Sequence, residues 1–143
     1  MARYRTTIES PRTPEACFAA LSDFSSAQEW DPGVVRASRP DDGPIGLGSR
    51  FDLVAAFMGR EVPLTYEIIA FSAPGRVLLR AENESVVSLD EITFEPAPAG
   101  GTLVTYDADL RLKGVLRPFD LGLRLIFKRI GDQAAAGLRT HLA

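Results

Sequence analysis

Polar and apolar residues alternate from the start of the chain. Tyr4, Thr6 and Ile8 interleave with Arg3, Arg5, Thr7 and Glu9, which predicts a strand with one polar face. The period then becomes helical. In "TPEACFAALSDF", Thr13 suits an N-cap, Pro14 the first helical position and Glu15 the first turn, with Cys17, Phe18 and Leu21 on one face. A second short helix, "SSAQEW", starts from a Ser25 or Ser26 cap and ends by Asp31, because Pro32 disfavours helix at the residue before it. Trp30, the only tryptophan, therefore closes that helix, and Gly33 lets the chain reverse into a strand, "VVRASR".

From Gly48 the period is two. Phe51, Leu53, Ala55 and Phe57 alternate, Gly59-Arg60 fits a tight turn, and Val62, Leu64, Tyr66 and Ile68 follow. A turn centred there pairs Phe57 with Val62, Ala55 with Leu64, Leu53 with Tyr66 and Phe51 with Ile68, leaving both apolar sets on one face. Next, "RVLLRAEN" turns Val77, Leu79 and Ala81 inward and Arg76, Arg80 and Glu82 outward. "VVSLDEITF" and "TLVTYDADLRL" complete the sheet, the second with Val104, Tyr106, Ala108, Leu110 and Leu112 on its apolar face. Short loops, "EPAPAGG" among them, make the sheet antiparallel.

The chain closes on a helical stripe. Leu116, Phe119, Leu123, Phe127, Ile130, Ala134 and Leu138 recur at steps of three and four, opposite Arg117, Asp120, Arg124 and Lys128. Pro118 fits the first turn of this helix and Gly114 the bend before it. Its apolar face is expected to rest on the concave side of the twisted sheet.

The order of elements (a strand, two short helices, a run of antiparallel strands, a long C-terminal helix) resembles the SRPBCC or START-like superfamily. That is the helix-grip fold of the birch pollen allergen, START lipid-transfer domains and small polyketide cyclases. "LSDFSSAQEWDPGVV", "GPIGLGSRFDLVAAFMGREVPLTYEI" and "FKRIGDQAAAGLRTHL" look like its bacterial polyketide cyclase/dehydrase and lipid-transport branch. The resemblance spans essentially the whole chain. It implies an α+β fold: a strongly curved antiparallel sheet of about seven strands around the C-terminal helix, with a cavity between them closed by the short helices. Trp30 then either gates a mouth of that cavity or fills the small core beneath the helix pair.

Composition narrows the field further. A chain of 143 residues is one expected domain, 1–143, burying roughly 68–70% of its unfolded surface without staples. The net charge of −3 argues against a nucleic-acid partner. No apolar run approaches the ~20 residues that span a bilayer, so stable membrane insertion is not expected. "MARYRTTIES" has no apolar core of a secretory signal, and the expectation is a soluble cytoplasmic protein. One cysteine and one histidine make no metal cluster, catalytic triad or Cys-His pair, and no cofactor is expected. Cys17 reads as a buried thiol, and His141 as a cation at the helix C-terminus or a frayed end. "GPIGLG" lacks a P-loop lysine and precedes a strand, so it is no phosphate loop.

Candidate site residues follow from the sheet face. Phe51, Leu53, Phe57, Tyr66, Ile68, Leu79, Ile92, Tyr106 and Ala108 are expected to line the pocket, with Phe119, Leu123 and Phe127 as its floor. The opposing reading is that these side chains meet and leave no room. Asp90 is the sharpest polar candidate. Alternation from Phe94 and Ile92 points Asp90 and Ser88 inward, where a desolvated carboxylate becomes a general acid or base. A β-bulge near Leu89 to Glu91 instead turns Asp90 out, and the cost of burying a lone carboxylate favours that alternative.

Three functions fit. The first is a binding protein for a hydrophobic, lipid-like or polyketide-like small molecule. The second is a cyclase or dehydratase using Asp90, Tyr66 or Tyr106 as its acid/base group. The third is a module for a protein partner.

Overall fold

The computed structural model describes residues 2–57 and 59–143, without the side chains of Val115, Asp120 and Leu121. Asp120 of the expected polar stripe thus lies outside the described side chains. The strands are β1 (Ala2–Ser10), β2 (Val34–Ser38), β3 (Arg50–Phe57), β4 (Arg60–Ser72), β5 (Arg76–Glu82), β6 (Val86–Pro96) and β7 (Thr102–Leu112). They form one antiparallel sheet in the order β1-β7-β6-β5-β4-β3-β2. Helices α1 (Pro14–Ser22) and α2 (Ala27–Trp30) follow β1, joined by a 3-10 turn over Phe24–Ser26. A second 3-10 segment, Gly114–Phe119, leads into the long helix α3 (Asp120–His141).

Local chemistry explains the early elements. Thr13 caps α1 through its hydroxyl, which accepts from the Ala16 N–H at 3.2 Å, and Pro14 begins the helix. Asp23 caps the 3-10 turn by accepting from the Ser25 N–H at 3.2 Å. Ser26 precedes α2 without a side-chain cap bond; its hydroxyl is turned to the Ala20 carbonyl and to the Trp30 indole. Cys17 and Leu21 face inward from α1 and are fully buried.

The β3–β4 hairpin is tighter than the apolar pattern implied. Phe57 pairs with Arg60, Ala55 with Val62, Leu53 with Leu64 and Phe51 with Tyr66, a two-residue slip from the expected register. Gly59 is the last loop residue rather than the first, at φ 78°. A slip of two leaves every side chain on its face, so the alternation alone could not detect it. In β6 the opposite happens: pairing is continuous with β7 from residue 86 to 96 and with β5 from 87 to 93, with no bulge. Val86, Ser88, Asp90, Ile92 and Phe94 all face inward, while Leu89 is exposed.

Helix α3 is clamped at its C-terminal end. Leu138 and Leu142 are buried, and the Ser10 hydroxyl donates to the Leu142 carbonyl at 2.6 Å. Tyr4 on β1 donates to Asp132 at 2.6 Å, its ring lying against Gly131. Gly137 passes so close to α2 that a Cβ there would overlap the Trp30 carbonyl oxygen. The other end differs from expectation. Phe119, expected on the pocket floor, is 64% exposed. The 3-10 segment turns about 120° per residue instead of 100°, which takes Phe119 out of phase with Leu123 and Phe127.

The two helix glycines separate propensity from packing. Gly137→Ala gains helix propensity of up to about 1 kcal/mol but must push α3 off the Trp30 backbone, an overpacking cost of about 1–3 kcal/mol. The expected result is a thermal midpoint several degrees lower. Gly122→Ala, with no atom within 4 Å of the new methyl, is expected to raise it slightly. Equal midpoints for the two variants in thermal unfolding would exclude the clamp.

Candidate functional site

Between the concave sheet face and α3 lies a cavity of about 820 Å³. Its wall is largely apolar: Leu53, Ala55 and Phe57 from β3, Val62 and Leu64 from β4, Ala108 and Leu110 from β7, and Phe127, Ile130 and Ala134 from α3. Of the residues expected there, Trp30, Leu53, Phe57, Tyr66, Asp90, Tyr106, Ala108 and Phe127 lie on the wall. Phe51, Ile68, Leu79 and Ile92 do not; they are fully buried in the solid core. Alternation gives the face of a strand but not the position along it at which the cavity begins. In the solid core, the Phe18 ring of α1 stacks edge-on against Phe71 and Phe94 at 5.1 and 5.4 Å. Leu123 is buried but off the wall, and Phe119 is outside altogether.

Trp30 both fills and lines. Its indole N–H donates to the Ser26 hydroxyl at 3.3 Å, and its ring meets Tyr106 edge-on at 5.7 Å and Phe24 at 6.3 Å. Phe24 in turn lies 4.9 Å from Tyr66. Four aromatic rings from α2, the preceding turn, β4 and β7 thus surround one end of the cavity.

At that end the polar groups form a continuous chain. The Tyr106 hydroxyl donates to Asp90 Oδ2, and Ser88 Oγ donates to Asp90 Oδ1 at 3.2 Å. Tyr66 Oη lies 2.6 Å from Ser88 Oγ. An ionised carboxylate only accepts, so Ser88 gives its proton to Asp90 and Tyr66 gives its own to Ser88. Asp90 is therefore not the lone carboxylate whose cost favoured a bulge. Two hydroxyls pair with it, and no buried side-chain nitrogen or oxygen among the described residues lacks a partner.

Burial dominates the electrostatics. Desolvation pushes Asp90 up from 3.8 to about 6, against the opposing pull of the Tyr106 and Ser88 hydrogen bonds. Desolvation and the Asp90 charge also hold both Tyr66 and Tyr106 well above the usual phenol value. Asp31, at the end of α2 before Pro32, accepts from the Gly33 N–H at 2.8 Å and so serves the turn. It also lines the cavity, burial raises its pKa, and its charge reaches Asp90 and both tyrosines. A helix end carries no period from which this second role could be read, and neither does the link between α1 and α2 that holds Phe24. Among the described residues no group of three or more His, Cys, Asp and Glu side chains could hold a metal ion.

A curved antiparallel sheet gripping one long helix around a cavity defines a START-like, helix-grip protein. The chain belongs to the polyketide cyclase/dehydrase and lipid transport family, whose model matches residues 1–143. Solved structures repeat the fold at low identity. A START superfamily protein from Mycobacterium smegmatis is 14% identical with a TM-score of 0.79, the match covering 99% of this chain and 97% of that one. A Thermus thermophilus protein is 16% identical with a TM-score of 0.77, covering 99% and 95%. The di-domain ARO/CYC StfQ from the steffimycin biosynthetic pathway is 12% identical with a TM-score of 0.73, covering 99% of this chain and 48% of that one. No curated protein matches the chain.

The Asp90 network makes stability depend on pH in an unusual direction. Between about pH 4 and 6 the folded chain holds a proton on Asp90 that the unfolded chain has released. Raising the pH through this window removes it, so stability falls and then levels off above about pH 6. At about 1.4 kcal/mol per pH unit the contribution is of the order of 3 kcal/mol. Urea unfolding of wild type and Asp90→Asn at pH 4 and pH 7.5 isolates it. The wild type is expected to lose more stability than the variant over that interval; parallel curves would show that Asp90 is not desolvated.

Proposed function

We propose that this protein binds a hydrophobic small molecule, lipid-like or polyketide-like, in the cavity between the sheet and α3. The observation that carries this reading is the cavity itself. Its volume of about 820 Å³ falls within the roughly 300–1,000 Å³ of small-molecule sites, and its lining has their character, mostly apolar with a few convergent polar groups. Membership of a family described by both polyketide cyclase/dehydrase activity and lipid transport agrees with it. Among the described residues no helix is long and apolar enough to cross a membrane.

A second reading, an acid/base step on a polyketide-like substrate, draws on Asp90. A carboxyl group near 6 beside a buried phenol is poised to exchange a proton near neutral pH. Folding a reactive chain against the wall would supply much of the rate.

Native mass spectrometry tests the first reading. The purified protein is expected to carry a discrete hydrophobic mass, or to acquire one when challenged with long-chain alcohols, sterols or aromatic polyketides. Ala108→Trp places an indole on the cavity wall opposite Asp90 and is expected to abolish that mass while the far-ultraviolet circular dichroism is unchanged. A wild-type protein that stays free of ligand after the full challenge would reject it. For the second reading, turnover should fall about 100-fold or more in Asp90→Asn, whereas a carrier shows no turnover to lose.

A further inference from the structure

The charge of the cavity wall is one-sided. Among the described residues, its lining holds four carboxylates, Asp31, Glu61, Glu84 and Asp90, and one cation, Arg60. Arg60 and Glu61, the first residues of β4, and Glu84, in the β5–β6 connection, are exposed. Asp31 and Asp90 sit instead at the aromatic end. There, Tyr66 and Ser88 pass their protons along the chain to Asp90, and Tyr106 gives its own directly. Those hydroxyls therefore have lone pairs, not protons, left to offer a ligand. The rings of Phe24, Trp30, Tyr66 and Tyr106 add π-systems, whose faces carry partial negative charge.

We infer that the aromatic end of this cavity takes the protonated amine of a hydrophobic ligand, with Asp90 and Asp31 as its counter-charges and the aromatic rings as its cage. This rests on the cavity-binding reading above and adds the chemistry of the head group. A buried carboxylate whose partners are all neutral gains from an ammonium group placed beside it. An ammonium also carries only donors, which match the spare acceptor sites of Asp90 and of the hydroxyls bonded to it. Aromatic rings within about 6 Å of a desolvated cation add further attraction. A fatty-acid carboxylate meets the reverse: like charge at the inner end, where the Tyr66, Ser88 and Tyr106 hydroxyls have already given their protons, with Arg60, the cation among the described lining residues, at the rim.

The test uses the full chain at pH 7.5 and three probes of equal chain length below their micelle concentrations: dodecylamine, dodecanol and dodecanoate. Trp30, the only tryptophan, reports binding through its fluorescence, and the neutral dye N-phenyl-1-naphthylamine reports cavity occupancy independently. The amine is expected to bind about tenfold or more tightly than the alcohol, as charge-assisted hydrogen bonds are roughly twice as strong as neutral ones. The carboxylate is expected to bind more weakly than either. In Asp90→Asn, and more modestly in Asp31→Asn, the amine-to-alcohol ratio should fall toward one.

If dye and alcohol bind but the amine has no advantage, or keeps it in both variants, the head-group inference is overturned and the cavity reading stands. If neither the dye nor any of the three probes binds, both fail. The ranking on wild-type protein decides the matter even if a variant does not fold.

Discussion

The rest of this molecule depends on how α3 is held. Its C-terminal turns are fastened to β1 and α2 by Leu138 and Leu142, the Ser10–Leu142 hydrogen bond and the close passage of Gly137 beneath Trp30. Most of the long helix's backbone neighbours lie on β1, α2 and its own 3-10 lead-in. It therefore spans the concave sheet without lying flat on it. The apolar surface that helix and sheet would otherwise bury against each other becomes a cavity wall, and α2 is held where Trp30 can close that wall.

A cavity of this kind forgoes dispersion contacts and hydrophobic burial along its lining. This one has a further cost, since Asp90 is ionised at neutral pH in a place from which water is largely excluded. The fold tolerates the charge because β6 runs without a bulge between β5 and β7, aligning Asp90 with Tyr106 on the adjacent β7 and Ser88 with Tyr66, which lies on β4 beyond Ala81 of β5. The polar chain is thus built from four side chains on three strands of one rigid sheet. A site on strands holds its geometry better than one on loops, which suits both a selective binding pocket and a positioned proton donor. The same arrangement ties stability to the electrostatics of the cavity, because the group that weakens the fold above about pH 6 also charges its aromatic end.

The polar chain was only half visible beforehand. Ser88, Asp90, Tyr66 and Tyr106 could each be placed on the inner face by counting in twos. Whether Asp90 stayed there depended on its partners, and partners across strands are set by register. The β3–β4 hairpin shows the same limit, since a slip by two residues preserves the facing pattern while changing every neighbour. Asp31 and Phe24 were harder still. Both lie in connections, where no period exists to say which way a side chain points.

Periodicity, caps and turn residues are local properties, so the amino-acid order by itself determined the element sequence, the antiparallel sheet, the apolar face of each strand and the presence of a long C-terminal helix. They do not carry distance. How far α3 stands from the sheet, where along the strands the packed core of Phe51, Ile68, Leu79 and Ile92 gives way to open space, and that Asp90 finds two hydroxyls are matters of three-dimensional closure. Those were decided by the clamp at one end of α3, the 3-10 entry at the other, and the register of strands far apart in the chain.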